Sequence, residues 1–199
     1  MSPLCSAERS ALLARARRAI VDAIHGEYPA RLPRAVSPDF PHEVGTGVFV
    51  TLFYRGQLRG CVGQVEAAVP LAEAVERCAV AAASEDPRFP PVGPAEVAEL
   101  DIEISLLSPL EPIAADAVEI GRHGLVVERG SRRGLLLPQV AAERHWQWPR
   151  FVEETCVKAG LARDAWKDSA TRTYAFTAEV FSEASYGNCF HDGTGTGAK

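Results

Sequence analysis

Two adjacent runs of β-branched and aromatic residues most constrain how this chain can fold. The first is Gly47–Tyr54, and after the turn Arg55-Gly56-Gln57 a second run covers residues 58–65. Runs of this kind, joined by a short turn that contains glycine, are typical of a β-hairpin. An alanine-rich apolar stripe then begins at Pro70 and ends before Asp86. It predicts a helix whose alanine-rich face permits close packing on a sheet.

The remaining pattern is strand-rich and irregular in order. Residues 100–107 alternate, with Ile102, Ile104 and Leu106 on one face and Asp101, Glu103 and Ser105 on the other, which indicates an antiparallel strand with one face in water. Further elements are a helix over 6–25, a hairpin over 125–137, helices over 138–145 and 149–160, and a strand over 174–181, with Tyr174, Phe176, Ala178 and Val180 on one face. Strands and helices do not alternate regularly. We therefore predict an α+β fold, with a mostly antiparallel sheet and flanking helices.

The first predicted helix has a charged face as well as an apolar one. Its arginines at positions 9, 15, 17 and 18 lie opposite the apolar stripe. A stripe of this kind can dock an anionic partner, but a solvated surface is the commoner arrangement, and we expect the latter. Residues 27–47 contain four prolines and are expected to form an extended connector.

The composition excludes several classes of function. Of the 199 residues 47% are hydrophobic, which is enough for one core or two small subdomains, and no apolar run approaches the roughly 18 residues that a membrane span needs. Acidic residues outnumber basic residues by 26 to 21, so no overall positive field attracts nucleic acid. The N-terminal segment lacks the apolar core of a signal peptide. We expect a cytoplasmic protein without a membrane or nucleic-acid partner.

The cysteines and the common motifs give no sign of a disulfide framework or a bound metal. The five cysteines are scattered, and no Cys-x-x-Cys pair occurs. The chain also lacks a phosphate-binding loop, a His-Glu-x-x-His helix and a nucleophile elbow. We therefore expect neither metal nor cofactor. Cys78 and Cys156 lie on helix stripes and are expected to pack in the core.

The segment Leu58-Arg59-Gly60-Cys61-Val62-Gly63 is the strongest candidate for a functional site. Glycine weakens a strand, so two glycines around Cys61 indicate either a close approach to the backbone or a bulge. By the two-residue period Arg59 and Cys61 share a face, where the guanidinium would favour the thiolate form of the cysteine. The alternative is that Cys61 is an ordinary small core residue.

Other residues could complete such a site. His123 lies in the turn Gly121-Arg122-His123-Gly124, which keeps it accessible as a base for a thiol, although an ordinary exposed histidine is the alternative. The proline-rich loop Asp86-Pro87-Arg88-Phe89-Pro90-Pro91 is expected to be extended and stiff, which would hold Asp86 and Arg88 at fixed positions. Glu103, on the polar face of its strand, is either a cleft carboxylate or simply solvated.

Five short motifs in series resemble the AMMECR domain family. They are Leu58-Arg59-Gly60-Cys61-Val62-Gly63, Asp86-Pro87-Arg88-Phe89-Pro90-Pro91, Gly121-Arg122-His123-Gly124-Leu125, Leu136-Leu137-Pro138-Gln139-Val140, and Cys156-Val157-Lys158-Ala159-Gly160-Leu161 followed by Asp164-Ala165-Trp166. The resemblance covers about residues 8–181, and a series of motifs is far more specific than any one of them. Val62 stands where the family usually has isoleucine.

The resemblance implies a fold, a site and partners. The fold would be one domain over residues 6–183, with two subdomains built from a repeated β-α-β-β unit and the motif around Cys61 facing a cleft between them. Residues 184–199 have no counterpart and are expected to form a flexible tail. The family has no assigned reaction. Similar prokaryotic proteins belong to a proposed three-part AmmeMemoRadiSam system, with a Memo-like protein and a radical SAM protein as partners.

Three hypotheses about function follow. In the first, the cleft binds or modifies a small or peptidic substrate, and whether it is a cysteine-dependent enzyme stays open. The expected catalytic residues are Cys61 as nucleophile or soft ligand, Arg59 as its electrostatic support and His123 as base. The expected substrate contacts are Asp86, Arg88, Glu103, Gly60 and Gly63. The second hypothesis is a non-catalytic adaptor that recognises a partner protein, and a distant third is RNA binding through Arg129, Arg132 and Arg133.

Overall fold

The computed structural model describes residues 4–28 and 46–187, and within them it confirms the α+β class. The helices are α1 (Ser6–Ile24), α2 (Leu71–Ser84), α3 (Pro138–Glu143), α4 (Trp148–Lys158) and α5 (Glu183–Gly187). The strands are β1 (Gly47–Tyr54), β2 (Gln57–Gln64), β3 (Leu100–Leu107), β4 (Glu111–Pro112), β5 (Gly124–Arg129), β6 (Arg132–Leu136), β7 (Arg172–Phe176) and β8 (Ala178–Ser182). Most of the predicted connector, residues 29–45, and the tail from residue 188 lie outside the described residues.

The chain divides into two compact units. Unit 1 comprises the residues up to Leu106 and those from Val180 onward, and unit 2 comprises the residues between them. Of the predicted C-terminal tail, residues 184–187 belong to the short helix α5. Each unit contains one four-stranded sheet.

Unit 1 consists of a four-stranded sheet and the helices α1 and α2, which pack on its inner face. Its strand order is β2-β1-β3-β8, and β1 and β2 pair in antiparallel fashion. Alternate residues of β1 and β3 enter the same core as the helices, and its fully buried members include Leu12, Ile20, Val48, Leu52, Leu71, Ile102 and Ile104. Burial of one such side chain contributes about 1.5 to 3 kcal/mol. The alternation predicted for β3 is confirmed, except that Ser105 on its polar face is only 1% exposed.

The charged face of α1 is more than a solvated surface. The Arg17 guanidinium donates to the carbonyl oxygens of Val97 and Leu100 at 2.9 and 2.6 Å and forms a two-point contact with the Glu183 carboxylate. Arg15 pairs with Glu76 of α2 at 2.7 Å. The expectation of a solvated face was therefore wrong for these two arginines, because helix periodicity does not show which elements pack beside a helix.

The strand predicted over residues 174–181 is two strands. The chain leaves one sheet after Phe176 and enters the other at Ala178. Between them, Ser108 and Thr177 exchange two hydrogen bonds, from Ser108 N to Thr177 O at 2.9 Å and from Thr177 N to the Ser108 hydroxyl at 3.0 Å. The predicted common face was also wrong, since Val180 is 40% exposed and Phe181 is buried. A continuous alternation cannot show where a chain changes sheets.

Unit 2 is a second sheet, covered by α3 and α4. Its order is β4-β7-β5-β6, and every pairing within it is antiparallel. The core contains Leu125, Ala141, Phe151, Val152 and Ala175. The three tryptophans pack against this core and are partly buried.

One stretch of each unit has the same order of elements. In unit 1 the hairpin β1–β2 is followed by α2 and then by β3, which pairs beside β1. In unit 2 the hairpin β5–β6 is followed by α3 and α4 and then by β7, which pairs beside β5. This shared stretch has the order β-β-α-β, with α1 and β8 outside it in unit 1 and β4 outside it in unit 2. The β-α-β-β form of the predicted repeat is not confirmed.

Candidate functional site

Cys61 lies on the outer strand of the unit 1 sheet, opposite Thr51. The hairpin register pairs these two residues, and the Thr51 hydroxyl donates to the Cys61 sulfur at 3.3 Å. The thiol is partly exposed. The Cys61 sulfur has a hydroxyl donor on the neighbouring strand. Thr51 was not among the predicted site residues, because a regular hairpin counted back from the turn pairs it with Gly60, and only the shift between Leu52 and Phe53 places it opposite Cys61.

The two glycines around Cys61 are explained by close packing within unit 1. A side chain at Gly60 would lie 2.1 Å from the Ala82 carbonyl oxygen of α2, and one at Gly63 would lie 2.3 Å from the Phe49 ring. The expectation of a close approach to the backbone is therefore confirmed, and the approaching groups belong to the protein. Substrate contact at Gly60 and Gly63 stays a prediction.

Arg59 occupies a β-bulge. The pairing shifts between Leu52 opposite Gly60 and Phe53 opposite Leu58, which leaves Arg59 without a partner on β1. A bulge changes the direction of the side chain that it contains. The period-of-two argument that placed Arg59 beside Cys61 therefore does not apply at this position.

The Arg59 side chain is bound by the loop that follows α2. Its guanidinium forms a two-point contact with Glu96 at 2.8 and 3.0 Å and donates to the carbonyl oxygens of Pro90 and Pro91 at 2.8 and 3.2 Å. Glu96 also accepts the Gly93 N–H at 2.8 Å. These bonds indicate that Arg59 positions the loop, whereas direct support of the Cys61 thiol by Arg59 stays a prediction.

Replacing Arg59 with glutamine should loosen this loop. The side chain is only 12% exposed, and its lost charge-assisted hydrogen bonds should lower the free energy of unfolding by about 1 to 2 kcal/mol. Urea denaturation measures the effect. Arg55→Gln is the matched control, because the Arg55 pair with Glu99 lies on the surface and should change little. Equal stability of the two variants would contradict the positioning role.

Asp86 is the buried acid of this region. Its side chain is 4% exposed, and it accepts the Cys61 N–H at 2.8 Å. The Arg88 guanidinium binds both carboxylate oxygens, at 2.9 and 2.6 Å. This pair holds the pKa of Asp86 well below its usual range, against the opposing effect of burial, and the N–H groups of Cys61 and Arg88 lower it further. Asp86 therefore remains a carboxylate that ties the loop to the strand at Cys61.

The loop itself begins as a turn. The Phe89 N–H donates to the Asp86 carbonyl at 3.1 Å, and the Asp86 side chain accepts the Arg88 N–H at 3.1 Å. Aspartate followed by proline is a common start for such a turn. The prediction of an extended segment was therefore wrong for residues 86–89, while the expectation of fixed positions for Asp86 and Arg88 is confirmed.

Arg88 is the cation that accompanies Cys61 in this site. Its side chain is 54% exposed and lies over the Phe89 ring, with the guanidinium carbon 5.4 Å from the ring centroid, which is within the cation–π range. The pKa of Arg88 is raised mainly by its hydrogen bonds to Asp86, and an electrostatic interaction with Cys61 adds to this. Its Nη1 group makes no hydrogen bond within the described residues. Arg88 can thus contact an anion beside the thiol.

Two predicted site residues stand apart from these contacts. Glu103 is partly exposed and shares the sheet face of Thr51 and Cys61, since all three alternate with residues of the unit 1 core. His123 belongs to unit 2, where its Nδ1 accepts the Glu119 N–H at 3.1 Å. That bond places the proton of the neutral imidazole on Nε2, which then donates. A role for His123 as base stays a prediction, and it requires this contact to break.

The comparisons with known proteins decide the family. A sequence model described as AMMECR1 matches residues 13–181. The chain belongs to the AMMECR1 family. A protein of Methanothermobacter thermautotrophicus is 43% identical over 189 residues, covering 92% of this chain and 97% of that protein. Protein TK0174 of Thermococcus kodakarensis is 42% identical over 183 residues, covering 84% and 86% of the two chains.

A solved structure shares the AMMECR1 fold. The crystal structure of the uncharacterized protein PH0010 from Pyrococcus horikoshii matches with a TM-score of 0.77 at 41% identity, covering 86% of this chain and 89% of that one. The names of these relatives state no activity, so the function of this AMMECR1 family member has to be inferred from its own residues.

Two further observations concern ligands and membranes. Among residues 4–28 and 46–187, no three histidine, cysteine or acidic side chains are grouped as a metal would require. In the same part of the chain, no helix combines the length and apolar character needed to cross a bilayer.

Proposed function

We propose that the surface around Cys61 recognises an anionic group of a small or peptidic substrate and presents that substrate to the thiol. The Cys61 site, as we name it, consists of Thr51, Arg59, Cys61, Asp86 and Arg88. In it Arg88 contacts the anion, Cys61 is the nucleophile or soft ligand, and the Thr51 hydroxyl donates a hydrogen bond to its sulfur. Asp86 and Arg59 are positioning residues.

The contact that carries this proposal is the Asp86 carboxylate, which binds Cys61 and Arg88 at once. One of its oxygens accepts both the Cys61 N–H and an Arg88 N–H, at 2.8 and 2.6 Å. The Arg88 side chain, which has four rotatable bonds, is thereby held next to the thiol. Binding of a ligand to it then costs less conformational entropy. The remaining guanidinium face is open to solvent, where it can bind a carboxylate or phosphate.

The repeated order of elements supplies a second argument. The residue in unit 2 that corresponds to Gly60 is Gly134 of β6, whose absent side chain leaves room for Ala159 after α4. The Thr51–Cys61 pair then corresponds to the apolar pair Val126–Leu135. This architecture therefore accepts an apolar pair at the position of the thiol. Packing alone does not explain the hydroxyl and the thiol of unit 1.

Two alkylating reagents of different charge test the site. Iodoacetate and iodoacetamide attack the same thiol, but only iodoacetate carries a carboxylate. The quantity to compare is the alkylation rate with iodoacetate divided by the rate with iodoacetamide. We expect this ratio to be at least about threefold higher at Cys61 than at the exposed Cys5 of the same protein. Peptide mapping by mass spectrometry gives both rates in one sample.

The variant Arg88→Gln is the matched control for charge. It should bring the rate ratio at Cys61 down to that at Cys5 while the Cys5 rates stay unchanged. An equal ratio at Cys61 and Cys5 in the wild-type protein would contradict anion recognition. A high ratio that survives in Arg88→Gln would assign the anion contact to another residue.

The family resemblance extends the proposal to partners and location. We propose that the protein acts in the cytoplasm, together with a Memo-like protein and a radical SAM protein. Such partners would supply the chemistry that a thiol and an arginine do not.

The second candidate function is a non-catalytic adaptor, favoured by the shape of the loop after α2. Pro87, Arg88, Pro90 and Pro91 are exposed, and the Asp86 and Arg59 contacts hold the loop in one conformation. A rigid exposed loop loses little entropy when it binds a partner. Co-purification of the Memo-like and radical SAM proteins with wild type, Arg88→Ala and Phe89→Ala tests this function. Retention by the wild type and equal retention by both variants would count against it.

A further inference from the structure

The outer edge of β2 carries backbone groups that point away from the rest of its sheet. β2 is the last strand of the unit 1 sheet, and it pairs only with β1. In an antiparallel pair, successive residues turn their N–H and C=O groups alternately toward the partner strand and away from it. The Cys61 N–H points away from β1, because the Asp86 carboxylate accepts it at 2.8 Å. Gly63, two residues later on the same regular stretch, therefore also turns its N–H and C=O outward.

Three of these outward groups have no partner in the part of the chain that the structure describes. They are the Cys61 C=O, the Gly63 N–H and the Gly63 C=O, none of which makes a hydrogen bond with residues 4–28 or 46–187. Both residues are partly exposed. Unpaired backbone groups along a strand are what an extended peptide needs in order to add a strand to a sheet.

This edge is also the least protected of the sheet edges in the described residues. Proteins protect an edge by keeping the strand short, or by placing charges, proline or a bulge on it. β4 has two residues, one of them Pro112, whereas β6 and β8 have five each. β2 has eight, and its bulge and the Asp86 contact protect it only as far as the Cys61 N–H. The stretch from the Cys61 C=O to Gly63 is left open beside the thiol.

We propose that this open stretch binds the C-terminal segment of a peptide as an added antiparallel strand. The proposal rests on the proposed function and names the substrate class of the same site. A peptide residue opposite Gly63 would donate its N–H to the Gly63 C=O and accept the Gly63 N–H. Backbone pairing of this kind selects a peptide, because a small molecule without a repeating amide cannot match these groups.

The end of the added strand is set by Asp86 and Arg88. The Asp86 carboxylate already occupies the position of the next acceptor, at the Cys61 N–H, so the added strand has to end there. In the antiparallel direction its carboxyl end lies at that point. The Arg88 guanidinium already balances the Asp86 charge, and its exposed Nη1 makes no hydrogen bond within the described residues. A terminal carboxylate therefore supplies the anion that Arg88 contacts, whereas the parallel direction would bring a terminal ammonium to the same arginine.

Hydrogen exchange at single amides tests the proposal, with an acetylated pentapeptide of alternating threonine and valine as probe. In the ligand-free protein the Gly63 amide should exchange fast, and the Val62 amide, which bonds to β1, should exchange slowly. We expect a Kd on the order of a millimolar for so short a peptide. At about ten times that concentration, exchange at Gly63 should slow about tenfold, since only about one molecule in eleven is then free.

The terminal carboxylate is tested by a second comparison. The free-acid peptide should bind at least about threefold more tightly than its C-terminal amide, and Arg88→Gln should remove this difference. Equal binding of the acid and the amide to the wild-type protein would overturn the contact between the carboxylate and Arg88.

The matched control is the same free-acid peptide with every backbone nitrogen methylated. It keeps the side chains and the carboxylate but cannot donate to the Gly63 C=O, so it should not protect Gly63. Slow exchange at Gly63 without peptide, or equal protection by the methylated peptide, would overturn the added strand. A raised iodoacetate ratio at Cys61 without protection of Gly63 by the free-acid peptide would overturn the peptide and leave anion recognition in place. Protection of Gly63 with an ordinary iodoacetate ratio would support the added strand and contradict anion recognition.

Discussion

Replacing Gly60 with alanine should lower the free energy of unfolding by about 3 kcal/mol. The new methyl group would lie 2.1 Å from the carbonyl oxygen of Ala82. Ala82 is buried in the last turn of α2, and this packed backbone cannot move aside as a flexible side chain can. Either α2 shifts away from the sheet or β2 bends. Urea-induced unfolding followed by circular dichroism measures the loss.

The matched control is Gly93→Ala in the loop after α2. The nearest atom to a side chain at Gly93 is a Glu96 oxygen at 3.6 Å, an ordinary contact distance. This variant should stay within about 0.5 kcal/mol of wild type. If Gly60→Ala were as stable as Gly93→Ala, the close contact between α2 and β2 would be wrong.

Replacing Asp86 with asparagine should lower the free energy of unfolding by about 2 to 3 kcal/mol at neutral pH. The variant keeps the size of the side chain but loses the negative charge that accepts from Arg88 and Cys61. The loop would then be held to the strand at Arg59 alone. Chemical denaturation at several pH values measures the loss and its origin.

The pH dependence has a definite sign. Because the folded protein holds the pKa of Asp86 below the value in the unfolded chain, the carboxylate stabilises the fold fully above that unfolded value, about 3.9. As the pH falls below about 4, the unfolded chain takes up a proton first, and this contribution declines. The stability difference between wild type and Asp86→Asn should therefore be constant from pH 5 to 8 and should shrink below about pH 4.

A surface aspartate provides the control for Asp86. Asp168 pairs with Arg129 at 2.7 Å, and its side chain is 44% exposed. Asp168→Asn should change stability by no more than about 0.5 kcal/mol. A difference between wild type and Asp86→Asn that does not change with pH would show that packing, rather than the charge of Asp86, stabilises the loop.

The framework of the fold could be predicted because it depends on short-range patterns. The hairpin β1–β2 follows from two strand-forming runs around a glycine turn, and the inner residues of β3 follow from alternation. Element boundaries hold to within a few residues for the same reason. The change of sheet between β7 and β8 could not be predicted. The alternation of apolar and polar residues continues through Thr177, and only the pairing of each strand with its neighbours separates the two strands.

The chemical roles in the site depended on contacts that a single sequence does not show. Cys61 and Arg88 lie in recognisable motifs, yet only the bulge shows that Arg59 turns to Glu96. Only the folded loop shows that Asp86 binds the Cys61 backbone. Thr51 was missed because a threonine in a β-strand is ordinary and becomes informative only through its register with Cys61.

The basic residues considered for RNA binding illustrate the same limit. Arg129 pairs with Asp168, and Arg132 donates to the Gly160 carbonyl at 2.8 Å. Charge composition alone does not show that such side chains already bind partners within the protein. Both arginines hold structure around the turn after β5.

The rate at which Cys61 reacts in the native protein tests the central claim most directly. Cys61 and Cys78 both belong to unit 1, but Cys61 is partly exposed whereas Cys78 is buried, and burial raises the pKa of Cys78 to about 11. Under native conditions iodoacetamide should label Cys61 in the folded protein. Labelling of Cys78 should require an opening of the structure around it and should therefore be slower. Labelling of Cys61 well ahead of Cys78 would support a thiol held for function. Labelling of both at one common rate would contradict it and leave Cys61 as a packing residue.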